Sequence, residues 1–267
     1  MNIKRFTSAL IGLPLVALVL IFGNQYVIDI SFSIIAVLSL NEFYNAFKQT
    51  SKPMKWIGYV FAIAIAFIHV IPTAYTKNSL QLLVPNLITI LFLVIVVTDM
   101  KYTIKDMAIT LLGIAYILGF IVFIPLLRGI ENGSYFVWYI IVIAWGTDIF
   151  AYLVGKKFGK HKFSKISPNK SIEGCVAGII GAILMSLLYT LVINYIAKLN
   201  ISYMYILFVS WALSILSQIG DFAASSIKRY VGIKDFSNLI PGHGGMLDRI
   251  DSVIFIAPFA YFLLNIL

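Results

Sequence analysis

Cys175-Val176-Ala177-Gly178-Ile179-Ile180-Gly181-Ala182-Ile183-Leu184-Met185-Ser186-Leu187-Leu188-Tyr189-Thr190-Leu191-Val192-Ile193-Asn194-Tyr195-Ile196 runs from end to end without a charged side chain. A helix needs about 20 mostly apolar residues to cross the hydrocarbon core of a bilayer, and this stretch supplies them. Outward from it, eight more segments read the same way: Thr7–Phe22, Tyr26–Phe43, Trp56–Ile71, Leu82–Thr98, Met107–Leu127, Tyr135–Val154, Ile201–Ile219 and Val253–Leu267. Several are short for a full span, and short spans tilt little or thin the bilayer around them. Composition agrees. The chain has 267 residues, of which 61% are hydrophobic and 12% charged. A soluble domain is about half apolar and about one quarter charged. A chain this poor in charge cannot cover a water-facing globule, so a soluble protein with a large core is excluded. The expected fold is all-α: a polytopic integral membrane protein of about nine transmembrane helices in one membrane domain, 1–267.

The charges give an independent check. With the N-terminus in the cytoplasm, the inner segments hold Lys4, Arg5, Lys48, Lys52, Lys55, Lys101, Lys105, Lys156, Lys157, Lys160, Lys162, Lys165, Lys170, Lys228, Arg229, Lys234 and Arg249. Only Lys77, Arg128 and Lys198 fall outside, a split of 17 to 3. One missed helix would invert every later loop, so the split supports the segment count. The bias is that of an inner (plasma) membrane protein with positive loops in the cytoplasm. The net charge of +9 therefore reflects topology and anionic lipid headgroups rather than nucleic acid. Cys175 is the only cysteine, which rules out an intrachain disulfide and a cysteine-based metal cluster. The first apolar segment follows Lys4 and Arg5 as in a signal peptide, but Phe22-Gly23-Asn24-Gln25 is a poor processing site, and a retained helix is expected.

Two inner loops are long, 155–174 and 220–252, both in the half from 135 to 267. In the second, Asp221, Ser225 and Lys228 are spaced i, i+4, i+7 and share a face if the stretch is helical. Asp248 and Asp251 share a face of the helix that enters the last span. Between them lies Pro241-Gly242-His243-Gly244-Gly245, whose glycines allow backbone to approach a ligand closely and to form an anion-binding nest. Four of the eleven acidic residues fall between Asp221 and Asp251. Carboxylates beside Lys and Arg and a glycine turn are what nucleoside triphosphate chemistry requires: oxygen ligands for Mg²⁺ and cations for phosphate.

The first loop adds a second constellation. Asp148 interrupts an otherwise apolar span, and an ionisable group at membrane depth is a functional candidate. The basic residues Lys156, Lys157, Lys160 and Lys162 read two ways, as topology and lipid-headgroup charges or as contacts to substrate phosphates. Ser171 reads as a helix cap with Glu173 in the first turn, a structural alternative to a site role.

Ser225-x-Ile227-Lys228-Arg229-x4-Lys234-Asp235-x5-Pro241-x-His243-Gly244-Gly245-x2-Asp248-Arg249-x-Asp251 resembles the signature of the phosphatidate cytidylyltransferase (CDP-diacylglycerol synthase) family. Asp148-x2-Ala151-Tyr152-x2-Gly155-x3-Gly159 and Ser167-Pro168-x-Lys170-Ser171-x-Glu173-Gly174 resemble its second characteristic region. Residues 1–134 resemble the family only in hydropathy. The chain departs from the family's pattern at Asn169, Ser171 and Ala224, where Lys, Thr and an acidic residue are common.

The resemblance implies the reaction of CTP with phosphatidate to give CDP-diacylglycerol and pyrophosphate, in phospholipid biosynthesis. It implies Mg²⁺, or a pair of metal ions, on Asp221 and Asp248, with Asp251 beside them. Lys228, Arg229, Lys234 and Arg249 would contact phosphates. Ser225, Gly244 and Gly245 would approach substrate, and Asp148, Lys170, Ser171 and Glu173 would shape the site from the other loop. His243 reads either as a hydrogen-bond donor or as a structural residue. The resemblance also implies a homodimer, with CTP drawn from the cytoplasm and the lipid from the bilayer. Two rivals make different predictions. A CTP-dependent lipid-alcohol kinase attacks the γ-phosphorus and releases CDP. A transporter using Asp148 as a coupling carboxylate predicts charges in several helices and inverted repeats, and no repeat is visible.

Overall fold

The computed structural model describes residues 3–70, 73–164, 167–168 and 170–267; Ile71, Lys165 and Asn169 lie outside them. The described residues form nine helices: α1 Ile3–Phe22, α2 Gln25–Ala46, α3 Lys55–Phe67, α4 Thr73–Val97, α5 Ile104–Gly129, α6 Gly133–Phe158, α7 Ile172–Ala197, α8 Tyr203–Tyr230 and α9 Leu247–Leu264. The tail of α3 is a 3₁₀ turn and the middle of α5 a π-turn at Ile114–Leu118. Among the described residues no strand forms, only isolated bridges at Lys162–Ser171 and Ile240–Gly244. The fold is all-helical, and α2, α5, α6, α7 and α8 are long and apolar enough to cross a membrane.

Helix starts follow their caps. Asn24 accepts from the Val27 N–H at 2.9 Å, Thr103 and Asp106 form a reciprocal capping box, and Ser171 accepts from the Gly174 N–H at 3.1 Å. The polar stretch that begins at Gly220 does not leave the helix. Ala223 and Ala224 are strong helix formers, and α8 continues to Tyr230. The connector is therefore 231–246, shorter than the sequence suggests. The other shrinks likewise, to 159–171.

The chain packs as two compact units. One comprises Met1–Pro125 and Asp235–Asp248, the other Leu126–Lys234 and Arg249–Leu267. In the first, Leu40, Phe43, Tyr44, Met54, Ile57, Leu91, Ile117 and Ile121 are buried. The Tyr44 hydroxyl donates to the Thr110 carbonyl at 3.0 Å, and the Thr110 hydroxyl oxygen accepts from the Met54 N–H at 2.8 Å. Asp29 on α2 is fully buried and cannot remain unpartnered there; it accepts from Gln25 Nε2 at 3.0 Å and pairs with His69 Nδ1 at 2.9 Å.

In the second unit α6 and α7 lie almost backbone to backbone. A Cβ on Gly178 would stand 2.8 Å from the Thr147 carbonyl oxygen, and one on Gly174 2.8 Å from that of Ala151. Small residues at such a seam replace hydrophobic drive with close packing, as helices inside a bilayer require. The outward stripe of α7, Val176, Ile180, Leu184, Leu188 and Leu191, is exposed and apolar. Buried hydroxyls bond across helices: Thr147 with Ser214 and Tyr139 with Thr190, both at 2.7 Å. Gln218 Nε2 donates to the Cys175 carbonyl at 3.1 Å, which ties α8 to α7.

Candidate active site

The helical face predicted for α8 is present. Asp221, Ser225 and Lys228 lie one turn apart, with Ser225 and Lys228 buried. The Ser225 hydroxyl sits 3.5 Å from Asp221 Oδ1. The other oxygen, Oδ2, pairs with Lys170 Nζ. Lys170 comes from the connector after α6, which folds as a small hairpin: the Phe163 N–H donates to the Lys170 carbonyl at 3.1 Å and the Ile172 N–H to the His161 carbonyl at 2.9 Å. Phe222 holds this hairpin to α8. Its ring stacks on Phe163 at 4.8 Å between centroids, and Lys170 Nζ lies 4.3 Å from its centre.

Two further helices bring charge to the same unit. Asp148 on α6 lies within the electrostatic reach of Lys170, Asp221 and Arg249. Asp251 on α9 is buried, within reach of Asp221, Asp148 and Lys228. Gly220 admits α9, since a Cβ there would stand 2.5 Å from that of Phe255 and 3.0 Å from the Asp251 carbonyl oxygen. Three carboxylates and three cations, Lys170, Lys228 and Arg249, thus converge from α6, the hairpin, α8 and α9. Repulsion among the carboxylates is relieved by added positive charge, and the cations in turn suit phosphate.

The remaining predicted residues of this unit stand at its margin. Ser171 caps α7, and Glu173 accepts from the His161 backbone N–H at 3.2 Å and pairs with its ring Nδ1 at 2.7 Å, so both fasten the hairpin to the helix. Arg229 is exposed, and its Nη1 donates to the Ile233 carbonyl at 3.2 Å, closing the turn after α8. Lys234 is exposed in the same connector.

The glycine turn belongs to the first unit. Gly242 and Gly244 adopt φ of 79° and 84°, the left-handed region that favours glycine. The His243 N–H donates to the Ile240 carbonyl at 2.9 Å, and the Ile240 N–H to that of Gly244 at 2.8 Å. Asp248 is buried, and its Oδ2 accepts from the N–H groups of Phe236 at 2.8 Å and Gly245 at 3.0 Å. A second carboxylate, absent from the sequence reading, performs the larger part of the clamping. Glu42 on α2 is buried; its Oε1 accepts from the Ser237 hydroxyl at 2.6 Å and the Met246 N–H at 2.8 Å, and its Oε2 from the Leu247 N–H at 2.8 Å. The signal was available, since Glu42 is an acidic residue within an apolar helix, as Asp148 is. It was hidden by its place next to the predicted segment end at Phe43.

Among the described residues no group of three or more His, Cys, Asp or Glu forms a metal cage. Mg²⁺ does not require one, because it is usually held by one or two carboxylates and completed by water and substrate phosphates. Asp221 fits that pattern: an oxygen donor, partly accessible, among cations that suit phosphate.

Comparison with known proteins converges on the same chemistry. Residues 3–267 match the Cytidylyltransferase family. A Bacillus subtilis (strain 168) phosphatidate cytidylyltransferase is 43% identical over 157 residues, which is 58% of this chain and 57% of that protein. The protein of the same name from Staphylococcus aureus (strain COL) is 34% identical over 270 residues, spanning 98% of this chain and 97% of its own length. That from Staphylococcus haemolyticus (strain JCSC1435) is 32% identical with the same coverage. The match extends through the N-terminal helices that resembled the family in hydropathy alone, and the chain belongs to the cytidylyltransferase family.

Proposed function

We propose that this nucleotidyltransferase makes CDP-diacylglycerol from CTP and phosphatidate. The observation that carries the reading is the cluster in the second unit, where Lys170, Lys228 and Arg249 stand among Asp148, Asp221 and Asp251. In the reaction an oxygen of the lipid phosphate attacks the α-phosphorus of CTP. The bond from that phosphorus to the bridging oxygen of the β-phosphate breaks, and pyrophosphate leaves. The nucleophile is already ionised, so the barrier lies in anion repulsion and alignment rather than proton removal. Lys170, Lys228 and Arg249 neutralise phosphate charge, with Arg229 and Lys234 as peripheral contacts. Ser225 orients Asp221. The Gly244–Gly245 backbone and His243 contact substrate from the glycine turn. Asp221 would hold Mg²⁺, and the sequence resemblance adds Asp248 as a ligand and Asp251 for a second ion; bound metal would supply Lewis-acid charge at the phosphates.

The nine helices are spans of one membrane domain. The N-terminus and both polar connectors face the cytoplasm, in a cell inner membrane. The split of basic residues supports this orientation. Acyl chains then remain among bilayer lipids while CTP arrives from water, and the enzyme works as a homodimer.

The test is pyrophosphate release from CTP and Mg²⁺ by the purified chain in detergent, with and without phosphatidate, beside Asp221→Asn. Lipid-dependent pyrophosphate that falls about 100-fold or more in the variant supports the reading. CDP release with a lipid alcohol, and no pyrophosphate with phosphatidate, replaces it with a kinase.

A further inference from the structure

The first unit carries a concentration of positive charge that the reaction above does not use. A cavity of about 310 Å³ opens where the end of α2, the connector to α3 and the turn between α4 and α5 meet. Lys48, Lys52, Lys55 and Lys101 line it, with Ser51 and Tyr102 between them. Lys48, Lys52 and Lys101 are exposed, and Lys55 is half-buried, its Nζ turned to Asn45 Oδ1. The acidic group beside these lysines is Asp106, whose Oδ1 accepts from the Lys52 backbone N–H and whose Oδ2 accepts from the Thr103 N–H and hydroxyl, both at 2.8 Å; its charge also acts on Lys52 and offsets part of the positive charge there. Asp99 lies two residues before Lys101 but does not line the cavity.

Lys48, Lys52 and Lys101 bring three exposed ammonium groups from three segments to the rim of one hollow whose wall is largely apolar, and beyond the share offset by Asp106 their charges repel one another. The arrangement is relieved by an anion, and a compact, multiply charged one is favoured over a single carboxylate. Lysine is a flexible point donor suited to phosphate, and hydroxyls of Ser51 and Tyr102 add neutral donors. From these residues we infer that the hollow is a second anion site, distinct from the catalytic cluster, that takes a phosphate group. Two sources present that chemistry: the headgroup phosphate of an anionic lipid, because basic pockets between spanning helices collect such headgroups, and a soluble phosphate or pyrophosphate ion.

The experiment uses the full chain purified in neutral detergent and compares Lys52→Gln/Lys101→Gln and the single variant Lys101→Gln with Lys198→Gln, a control equal in charge loss to the single variant, whose lysine is exposed and lies outside the hollow. One arm titrates pyrophosphate by calorimetry. The other reconstitutes each protein in phosphatidylcholine nanodiscs with and without phosphatidylglycerol and counts retained anionic lipid by native mass spectrometry. The inference expects one arm to weaken by roughly fivefold per lysine in the hollow variant and to stay within about twofold of wild type in the control. Loss in the calorimetric arm assigns a soluble ion, and loss in the nanodisc arm a headgroup. Lys52→Arg/Lys101→Arg retains binding in the assigned arm. If hollow and control variants behave alike in both arms while their melting temperatures match wild type, the inference is overturned. If the Gln pair fails to fold, the single variant Lys101→Gln, in an exposed turn, decides by the same criteria.

Discussion

Glu42 and Leu247 are 205 positions apart, yet Glu42 Oε2 receives the Leu247 N–H at 2.8 Å. With Met246 and Ser237 on the other oxygen, one buried carboxylate in α2 satisfies three donors that flank the glycine turn, the last of them at the start of α9. Replacement by Ala leaves the buried Leu247 N–H unmade, at about 1–3 kcal/mol, and loses two further charge-assisted bonds to the part-buried Ser237 and Met246 donors, at about 1 kcal/mol each. Glu42→Ala is therefore expected to lose on the order of 3 kcal/mol or more, and Glu42→Gln less, because one carbonyl oxygen remains. Hydrogen exchange reads this directly: amides 246 and 247 lose protection in the variant while those of α7 keep theirs.

The Phe222 ring carries two contacts at once, Phe163 stacked on it and Lys170 over it. Phe222→Ala removes both, worth about 1–2 kcal/mol together. The expected result is a connector between α6 and α7 that is cut faster by protease and a raised KM for CTP, with Phe222→Tyr close to wild type.

Lys170 is fixed between that ring and Asp221. Lys170→Gln is expected to lower kcat/KM by about 100-fold. Lys170→Arg should recover part of it, because charge is kept while the point geometry is not. An equal loss in a remote control such as Lys198→Gln would sink the assignment.

Metal dependence is expected to appear as complete loss of pyrophosphate release on chelation and full recovery with Mg²⁺. Asp221→Asn should raise the Mg²⁺ concentration for half-maximal rate. A variant whose rate drops with unchanged Mg²⁺ dependence would remove Asp221 from the metal site.

Gly178 has no room for a side chain beside Thr147. Gly178→Val should separate α6 from α7 and cost about 1–3 kcal/mol as an overpacked seam. Thermal unfolding in detergent checks it.

Local features were legible from residue order. Ser171 caps α7 as its place before Glu173 indicates, and Asp221, Ser225 and Lys228 share a face because helical spacing alone puts them there. The positions of the nine helices follow hydropathy, which needs no tertiary knowledge. The end of α8 did not follow, since polarity at Gly220-Asp221 reads as departure from a helix when it is an inward polar face. Glu42 and the Asp29–His69 pair stayed hidden for another reason. Each acts through partners far along the chain, 195–205 positions away for Glu42 and 40 for Asp29, and no periodicity encodes such a meeting.

The interleaving of the units has a consequence for biosynthesis. Residues 235–248 complete the first unit, but the ribosome releases them only after Leu126–Lys234, with α6, α7 and α8, has been made. Until then Glu42 waits in the membrane without its three donors. A nascent chain that stops before Ser237 lacks all three donors, so the α2 carboxylate is satisfied only once the last part of the chain has been made.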